Sequence, residues 1–446
     1  AAFCTPQAVM TYSGEGLNGM SAHFHRMCRS HLGACAVPER KRPVVLNLWE
    51  AMYFDSDEKK ILHAIRQCRN TGIDVVVLDD GWYAHRRGEN GSLGDWYVRP
   101  DKFPDGLRRV SQACRESGVR LGLWIEPEMV NRDSALYRAH PDWCISLPHI
   151  EPLESRCELV LDYGRQEVVD GVYQMLHTLL SENDIAYVKW DMNRNISDNG
   201  SVFLSRRRQG EQNHRYILGV YGLMARLTAA FPHIFFEGCA GGGGRFDFGI
   251  LYYFPQIWTS DDTDAYERTR VQYGTSLVFP PETMSAHVTI CPNHQTGRTT
   301  AFAVREAVAT LFSFGYELDL GKLPAEELQQ IPMQIRRHRR LEEKLADGCF
   351  YRISSPFEGN EAAWQVVSTD RKFSAVMYMT ALNVPNAHVH RLRLQGLEPE
   401  TEYTVQPSGV RSTGATLMHI GLPLPERTGD FQTDFWTLEA ECVTER

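Results

Sequence analysis

Eight short runs of apolar residues recur between residues 44 and 320, and most of them end in acidic or aromatic residues. Continuous apolar runs of this length are typical of parallel strands that are buried on both faces. Residues 159–162 form a ninth run, which we interpret as an extra strand or loop between the third and fourth. The eight predicted strands are residues 44–50, 74–78, 121–125, 185–190, 234–236, 256–259, 283–289 and 312–320.

Segments with helical periodicity lie between these strands. We expect Ser56 to cap the first of them. Alternating strands and helices are typical of parallel βαβ units, and eight such units predict a (β/α)8 barrel with its active site at the carboxyl ends of the strands. A doubly wound sheet would instead offer a glycine-rich phosphate turn after its first strand, and residues 47–50 are nothing like one. The other predicted helices are residues 106–117, 166–182, 214–230, 265–278 and 300–312.

Changes in the pattern of apolar and polar residues along the chain predict three parts. Residues 1–40 contain short strand-like pieces and a basic, helix-like stretch, which we interpret as a lead-in segment. Residues 41–345 are the predicted barrel and end in a charged amphipathic helix. In residues 346–446 the apolar runs become short and alternating, with turn residues between them, which predicts an antiparallel β-sandwich. The fold class is therefore α/β: a (β/α)8 TIM barrel with a C-terminal antiparallel β-sandwich domain.

Composition narrows the class of protein. The chain is 43% hydrophobic and 23% charged, which is ordinary for a globular protein. A net charge of -9 argues against a nucleic-acid partner, and we recognise neither a membrane span nor a secretory signal. The eleven cysteines include no CxxC pair, so neither a disulfide framework nor a zinc site is indicated. We therefore expect a reducing, cytoplasmic location.

Acids and tryptophans collect at the predicted strand ends. Sugar chemistry uses such a set, because one carboxylate attacks or stabilises an oxocarbenium-like centre while another protonates the leaving oxygen. Further acids accept hydrogen bonds from hydroxyls, although any single acid could merely cap the following helix. The strand-end residues are Trp49, Asp79, Asp80, Trp82, Trp124, Glu126, Glu128, Asp191, Glu237, Trp258, Asp261, Asp262 and Asp264.

Three other interpretations compete at these positions. Asp79 and Asp80 would suit a hard cation, but no predicted strand ends in histidine, so we expect no metal and no cofactor. Lys189, two residues before Asp191 and on the same side of the strand, could form a Schiff base or donate to a hydroxyl, and the nearby acids favour donation. The glycine-rich residues 238–245 lack a P-loop ending, so they predict either a close backbone approach to a ligand or a flexible turn.

Seven motifs, in matching order, resemble the bacterial α-galactosidases of glycoside hydrolase family 36. This resemblance implies a retaining hydrolase that removes terminal α-D-galactose from raffinose- or melibiose-type oligosaccharides. It implies Asp191 as the nucleophile and Asp261 as the general acid/base, with carboxyls about 5–5.5 Å apart. The motifs occupy residues 47–55, 78–82, 124–129, 140–143, 189–194, 237–247 and 258–264.

The same resemblance implies a sugar-binding set. Asp79 and Asp80 would bind the 4- and 6-hydroxyls, and Cys239 and Gly241 would lie near the 2-hydroxyl. Trp49 and Trp124 would line the sugar, and Arg156 and Lys189 would donate hydrogen bonds to it. The substrate-binding residues are Trp49, Asp79, Asp80, Trp124, Arg156, Lys189, Cys239 and Gly241.

The sequence departs from the family pattern in three respects. Gly238 and Ala240 stand where serine is common, which we expect to leave room beside the 2-hydroxyl and keeps an α-N-acetylgalactosaminidase as an alternative. Asp262 stands where asparagine is frequent, and its charge is expected to raise the pKa of Asp261. We also expect most of the family's N-terminal β-domain to be missing, a homo-oligomer when the protein is full length, and, as a further alternative, a catalytically weak sugar-binding fragment.

Overall fold

The computed structural model describes residues 5–32, 41–386 and 390–441. These residues divide into two compact units. One unit comprises residues 41–264 and 285–338, and the other comprises the described residues up to 32, residues 265–284 and the chain from 339 to 441. The three-part division of the sequence at 40/41 and 345/346 stays a prediction.

Ten strands precede the C-terminal region, and eight of them close into a parallel barrel in the order β1-β10-β9-β8-β7-β6-β3-β2. The predicted barrel is thereby confirmed. The ninth apolar run forms β5, which pairs antiparallel with β4 between the third and fourth barrel strands. The ten strands are β1 (Val45–Asn47), β2 (Val75–Leu78), β3 (Arg120–Ile125), β4 (Met129–Val130), β5 (Leu159–Val160), β6 (Tyr187–Trp190), β7 (Phe235–Gly238), β8 (Gln256–Trp258), β9 (Met284–Thr289) and β10 (Ser313–Glu317).

Side chains inside the barrel change character along each strand. The inward positions of β2 pass from Val75 and Val77 to Asp79, and those of β6 pass from Tyr187 to Lys189, because every second residue shares a face. The apolar members at the amino ends form one buried cluster. The charged members follow at the carboxyl ends, so the core of the barrel supports a polar site directly above it.

The helices fall close to the predicted segments, with one correction at a helix start. Asp57, not Ser56, caps α3: its Oδ1 accepts a hydrogen bond from the Lys60 amide at 2.8 Å. Ser56 instead accepts a hydrogen bond from Lys102 Nζ at 2.7 Å. The α-helices are α1 (Gly16–His31), α2 (Trp49–Met52), α3 (Glu58–Gln67), α4 (Arg108–Ser117), α5 (Ala135–Ala139), α6 (Gln166–Glu182), α7 (Gln212–Ala230), α8 (Phe248–Tyr253), α9 (Ala265–Thr275), α10 (Phe302–Ala309), α11 (Ala325–Lys344) and α12 (Gly414–His419).

Short 3₁₀ turns occupy Pro141–Trp143, Arg206–Glu211, Pro281–Thr283 and Leu320–Lys322. The last of these explains why the eighth apolar run was longer than its strand, since Leu320 is buried in the turn that follows β10. Within the described part of the chain, no helix has the length and apolarity needed to cross a membrane.

The C-terminal strands form the expected antiparallel domain. Six of them make one sheet in the order β11-β12-β13-β18-β15-β16, and β14 pairs with β17 in a second, two-stranded sheet. Leu392 and Leu422 of the small sheet share a buried core with Tyr378 and Leu438 of the large one. These strands are β11 (Cys349–Ser354), β12 (Glu361–Val367), β13 (Phe373–Thr380), β14 (Arg391–Leu392), β15 (Glu402–Gln406), β16 (Val410–Thr413), β17 (Leu422–Pro423) and β18 (Gln432–Ala440).

Candidate active site

Asp191 directly follows β6, and four donors hold its carboxylate. Oδ2 accepts hydrogen bonds from Trp124 Nε1 at 3.0 Å and from Asn193 Nδ2 at 2.9 Å. Oδ1 accepts hydrogen bonds from the Met192 amide at 2.8 Å and the Gly241 amide at 3.3 Å. The residue is buried. Because both oxygens are held by donors, the carboxylate is fixed in one orientation.

Asp79 and Lys189 form a buried ion pair inside the mouth of the barrel. Lys189 Nζ lies 3.0 Å from Asp79 Oδ2, which also accepts a hydrogen bond from Asn47 Nδ2 at 2.7 Å. Burial alone would lower the pKa of Lys189, but the negative charges of nearby acids, Asp79 first and Asp191 among the others, outweigh it and raise that pKa. A Schiff base needs a neutral amine, so a charged hydroxyl donor is the better interpretation of this lysine.

Asp80 has a cation of its own. Arg86 binds it in a fork, with Nε 3.0 Å from Oδ1 and the terminal NH2 nitrogen 2.8 Å from Oδ2. Burial raises the pKa of Asp80 while Arg86 acts in the opposite direction. Asp79 and Asp80 are thus both neutralised by protein cations. Among the residues that the structure describes, no group of three or more His, Cys, Asp or Glu side chains is arranged to hold a metal ion.

Asp261 lies three residues beyond the end of β8, on a surface open to solvent. Its Oδ1 accepts a hydrogen bond from Trp258 Nε1 at 2.9 Å. Partial enclosure by the cleft, and next the negative charge of Asp191, raise the pKa of Asp261, and Lys189 opposes them. The sequence predicts that the charge of Asp262 raises this pKa, but the larger charge effect comes from Asp191.

The glycine-rich loop after β7 packs against the backbone that leads to Asp261. A Cβ on Gly242 would lie 2.6 Å from the Asp261 amide nitrogen, and a Cβ on Gly243 would lie 2.2 Å from the Thr259 carbonyl oxygen. The Gly241 amide meanwhile donates to Asp191. Close backbone packing, rather than a flexible turn, is why glycine is needed here. One loop therefore contacts both predicted catalytic residues.

Cys239, at the start of this loop, is buried beside Asp191. Its amide donates to the Trp190 carbonyl oxygen at 2.6 Å. Burial, the charge of Asp191 and a hydrogen bond to that carboxylate raise the pKa of the Cys239 thiol. The thiol therefore stays protonated and is a neutral donor beside Asp191.

We expect extra room beside the 2-hydroxyl at Gly238 and Ala240; for Gly238 this expectation is wrong, and for Ala240 it stays a prediction. A Cβ at Gly238 would point toward Ile250, Ile257 and Phe254, at 3.0 to 3.5 Å. The preceding Glu237 points the other way, since it accepts a hydrogen bond from Gln256 Nε2 at 3.2 Å inside the barrel. Because neighbouring strand residues face opposite sides, Gly238 faces the helical layer and does not enlarge the pocket.

Two predicted sugar-binding residues are less closely tied to this cluster. Trp49 is half-buried and packs edge-on against Tyr53, with ring centroids 5.2 Å apart. Its amide donates to Asn47 Oδ1, which links it indirectly to Asp79. Arg156 is exposed, with a left-handed backbone (φ 55°), and lies 3.5 Å from Glu89 Oε1. Trp49 and Arg156 thus lie at more open positions than the buried carboxylates.

Four residues of the cluster had no assigned role in the sequence analysis. Asn47, Asn193 and Trp258 belong to the recognised motifs. Their signal is that each side chain can donate a hydrogen bond to a strand-end carboxylate. Arg86 lies outside every motif. An arginine six residues after an acid is a common pattern, so the sequence alone does not distinguish Arg86 from other arginines.

Paired carboxylates, a lysine and tryptophans at the carboxyl ends of barrel strands are the groups with which glycosidases act. The Melibiase family model matches residues 2–348, and the model of the glycosyl hydrolase family 36 C-terminal domain matches residues 361–438. The chain therefore belongs to the melibiase family, within glycoside hydrolase family 36, which confirms the resemblance of its motifs.

Its relatives include bacterial α-galactosidases. The chain is 48% identical to α-galactosidase AgaA of Geobacillus stearothermophilus over 98% of its own length and 60% of that protein's. It is 43% identical to the bifunctional α-galactosidase/sucrose kinase AgaSK of Mediterraneibacter gnavus, over 96% of this chain and 45% of that protein. A crystal structure of an AgaA variant with raffinose superimposes with a TM-score of 0.93, covering 96% of this chain and 59% of the other. The chain thus spans about 60% of the length of AgaA.

Proposed function

We propose that this chain is a retaining glycoside hydrolase that removes terminal α-D-galactose from raffinose- and melibiose-type oligosaccharides. One observation carries the proposal: the glycine-rich loop contacts both predicted catalytic residues. Four donors fix the carboxylate of Asp191, and the pKa of the second carboxyl, Asp261, is raised. Relatives described as α-galactosidases, one of them solved with raffinose and one with stachyose, support the choice of sugar.

In the first step, Asp191 attacks the anomeric carbon while Asp261 donates its proton to the glycosidic oxygen, and the C–O bond to the leaving sugar breaks. The negative charge of Asp191 helps to keep Asp261 protonated beforehand. Formation of the galactosyl ester removes that charge, so the pKa of Asp261 falls. Asp261 then accepts a proton from water as the water oxygen attacks the anomeric carbon. The bond between that carbon and Asp191 breaks, which restores the Asp191 carboxylate and releases galactose with its α-configuration retained.

The other predicted residues bind the sugar in this proposal. Asp79 accepts hydrogen bonds from a hydroxyl to which Lys189 donates, and Asp80, held by Arg86, accepts from a second. Trp124 presents its ring beside the sugar while its N–H holds Asp191. The remaining contacts come from Trp49, Arg156, Cys239 and Gly241.

Release of p-nitrophenol from the α-galactoside tests the proposal. Asp191→Ala should abolish release. Asp261→Ala should strongly reduce steady-state release, because the second step then lacks its base. Asp105→Ala, at an exposed aspartate before α4, should leave release unchanged. Nuclear magnetic resonance of the first-formed sugar should show the α-anomer. Sugar binding by the folded parent without turnover would instead support the binding-fragment alternative.

The p-nitrophenyl α-N-acetylgalactosaminide tests the alternative enzyme. We expect the parent to prefer the galactoside, because Gly238 faces Ile250 and Phe254 and opens no space for a 2-substituent. A higher kcat/KM for the N-acetyl substrate would reverse the assignment.

We also propose a cytoplasmic location and, for the full-length protein, a homo-oligomer. All eight described cysteines are free thiols, which suits a reducing compartment. Fractionation of the source cells and light scattering of the full-length protein test the two statements.

A further inference from the structure

The hydrogen bond that Trp258 donates to Asp261 is part of a larger buried arrangement. The Trp258 ring centroid lies 4.6 Å from that of His287 in β9. Lys189 Nζ lies 5.7 Å from the same indole ring. Trp258 itself is 2% exposed. The indole is therefore held by its neighbours, while its N–H points at one oxygen of the predicted acid/base.

His287 is fixed in turn by β10. Its Nδ1 lies 3.2 Å from Glu317 Oε2, and both side chains are nearly inaccessible, at 3% and 4% exposure. A Cβ on Gly315 would lie 2.7 Å from His287 Cδ2 and 2.8 Å from its Nε2. Glycine at 315 thus makes room for the imidazole, and Glu317 sets the direction of the ring.

We propose that Trp258, held in place by the buried His287–Glu317 pair, is a positioning residue that orients the Asp261 carboxyl toward the glycosidic oxygen. This inference rests on the proposed glycosidase function and adds to it three residues, Trp258, His287 and Glu317, that the family motifs did not assign.

The Asp261 carboxyl must be held in one orientation to donate its proton. Asp261 lies on a surface open to solvent, so its carboxyl would otherwise rotate between orientations. An indole N–H bound to Oδ1 leaves Oδ2 to carry the proton that is donated. Proton donation needs hydrogen-bond geometry toward the leaving oxygen, and small misplacements of reacting groups lower rates by as much as about 10²-fold.

A comparison of two leaving groups tests the inference. A nitrophenol leaves with little protonation, whereas a sugar hydroxyl must be protonated as it leaves. Trp258→Phe keeps an aromatic ring against His287 and Lys189 but removes the N–H. We expect kcat/KM for raffinose to fall roughly 10- to 100-fold, and kcat/KM for p-nitrophenyl α-galactoside to fall less than about threefold.

The matched control is Trp190→Phe, because Trp190 Nε1 also donates to a buried carboxylate, Glu128 Oε1 at 2.9 Å. Any loss in that variant should be equal for the two substrates. Equal losses, or no loss, in Trp258→Phe would overturn the inference while leaving the proposed function intact. A parent enzyme that cleaves neither substrate would overturn the proposed function itself.

A second variant decides the matter if Trp258→Phe does not fold. His287→Asn retains an amide that can reach Glu317 but removes the ring beside Trp258. We expect the same selective loss for raffinose, about 3- to 10-fold. A ratio of the two kcat/KM values that equals the parent's would overturn the inference.

Discussion

The Asp79–Lys189 pair makes each partner depend on the other. Both side chains are buried, at 6% and 7% exposure, so loss of one leaves an uncompensated charge in the barrel mouth. We expect Lys189→Met to lower the free energy of unfolding by about 3–5 kcal/mol, as measured by urea denaturation. The double variant Asp79→Asn/Lys189→Met should recover much of this loss. Strictly additive effects of the two substitutions would contradict the pairing.

The pKa of Asp261 should depend on the charge of Asp191. Because the charge of Asp191 raises the pKa of Asp261, Asp191→Asn should lower that pKa. The substitution keeps the shape of the side chain and removes its charge. Carbon-13 nuclear magnetic resonance of the Asp261 carboxyl measures the shift directly. Asp262→Asn is the matched control and should lower the pKa less, and the reverse order would contradict the electrostatics of the site.

At the scale of elements, the glycine-rich loop after β7 contacts the residues that follow both β6 and β8. Gly243→Ala would place a Cβ 2.2 Å from the Thr259 carbonyl oxygen, so the loop must move away from the backbone that carries Asp261. We expect kcat/KM for the α-galactoside to fall at least about tenfold. Gly222→Ala is the control, since that glycine lies in α7 with nothing within 4 Å of its Cβ position. It should retain activity and gain roughly 0.5–1 kcal/mol in stability. Equal activity in the two variants would contradict a role for this packing.

Elements buried on both faces were the easiest to predict. Strands such as β2, with every residue buried, leave an uninterrupted apolar run in the sequence. Strand β16, whose four residues are mostly exposed, leaves no such pattern in the sequence. The cap of α3 was misplaced because Ser56 and Asp57 are both good caps, and only the contact of Ser56 with Lys102 separates them.

The site shows the same division between local and long-range information. Motifs predicted the carboxylates, because their positions follow the strands. The direction of Gly238 could have been deduced from strand alternation once Glu237 was placed inside the barrel. The Asp80–Arg86 contact depends on the path of a loop. The His287–Trp258 contact depends on which strands become neighbours in the closed barrel. Local sequence alone gives neither.

At the scale of the molecule, buried acids set an unusual dependence of stability on pH. Burial is the main cause that raises the pKa of Glu50 and Glu158 to about 7 and that of Glu317 to about 8. Their ordinary value is 4.5. A carboxyl whose pKa is raised in the folded state stabilises it fully below the unfolded value, and this contribution is lost as pH rises through the folded pKa. These three acids should therefore weaken the fold progressively as pH rises from about 4.5 to about 8.

The window from pH 6.5 to 8 isolates this effect. Burial lowers the pKa of His25 to about 4, so its contribution to stability, which grows as pH rises toward its unfolded value, is complete near pH 6.5. Burial also lowers the pKa of Lys102 to about 8, which makes it act mainly above the window. We expect Tm to fall by several degrees between pH 6.5 and 8. Glu317→Gln keeps the size of the side chain and an acceptor for His287 but cannot ionise, so its decline in Tm should be shallower. A parent Tm that is constant or rising across this window would show that these carboxyls are already ionised in the folded barrel.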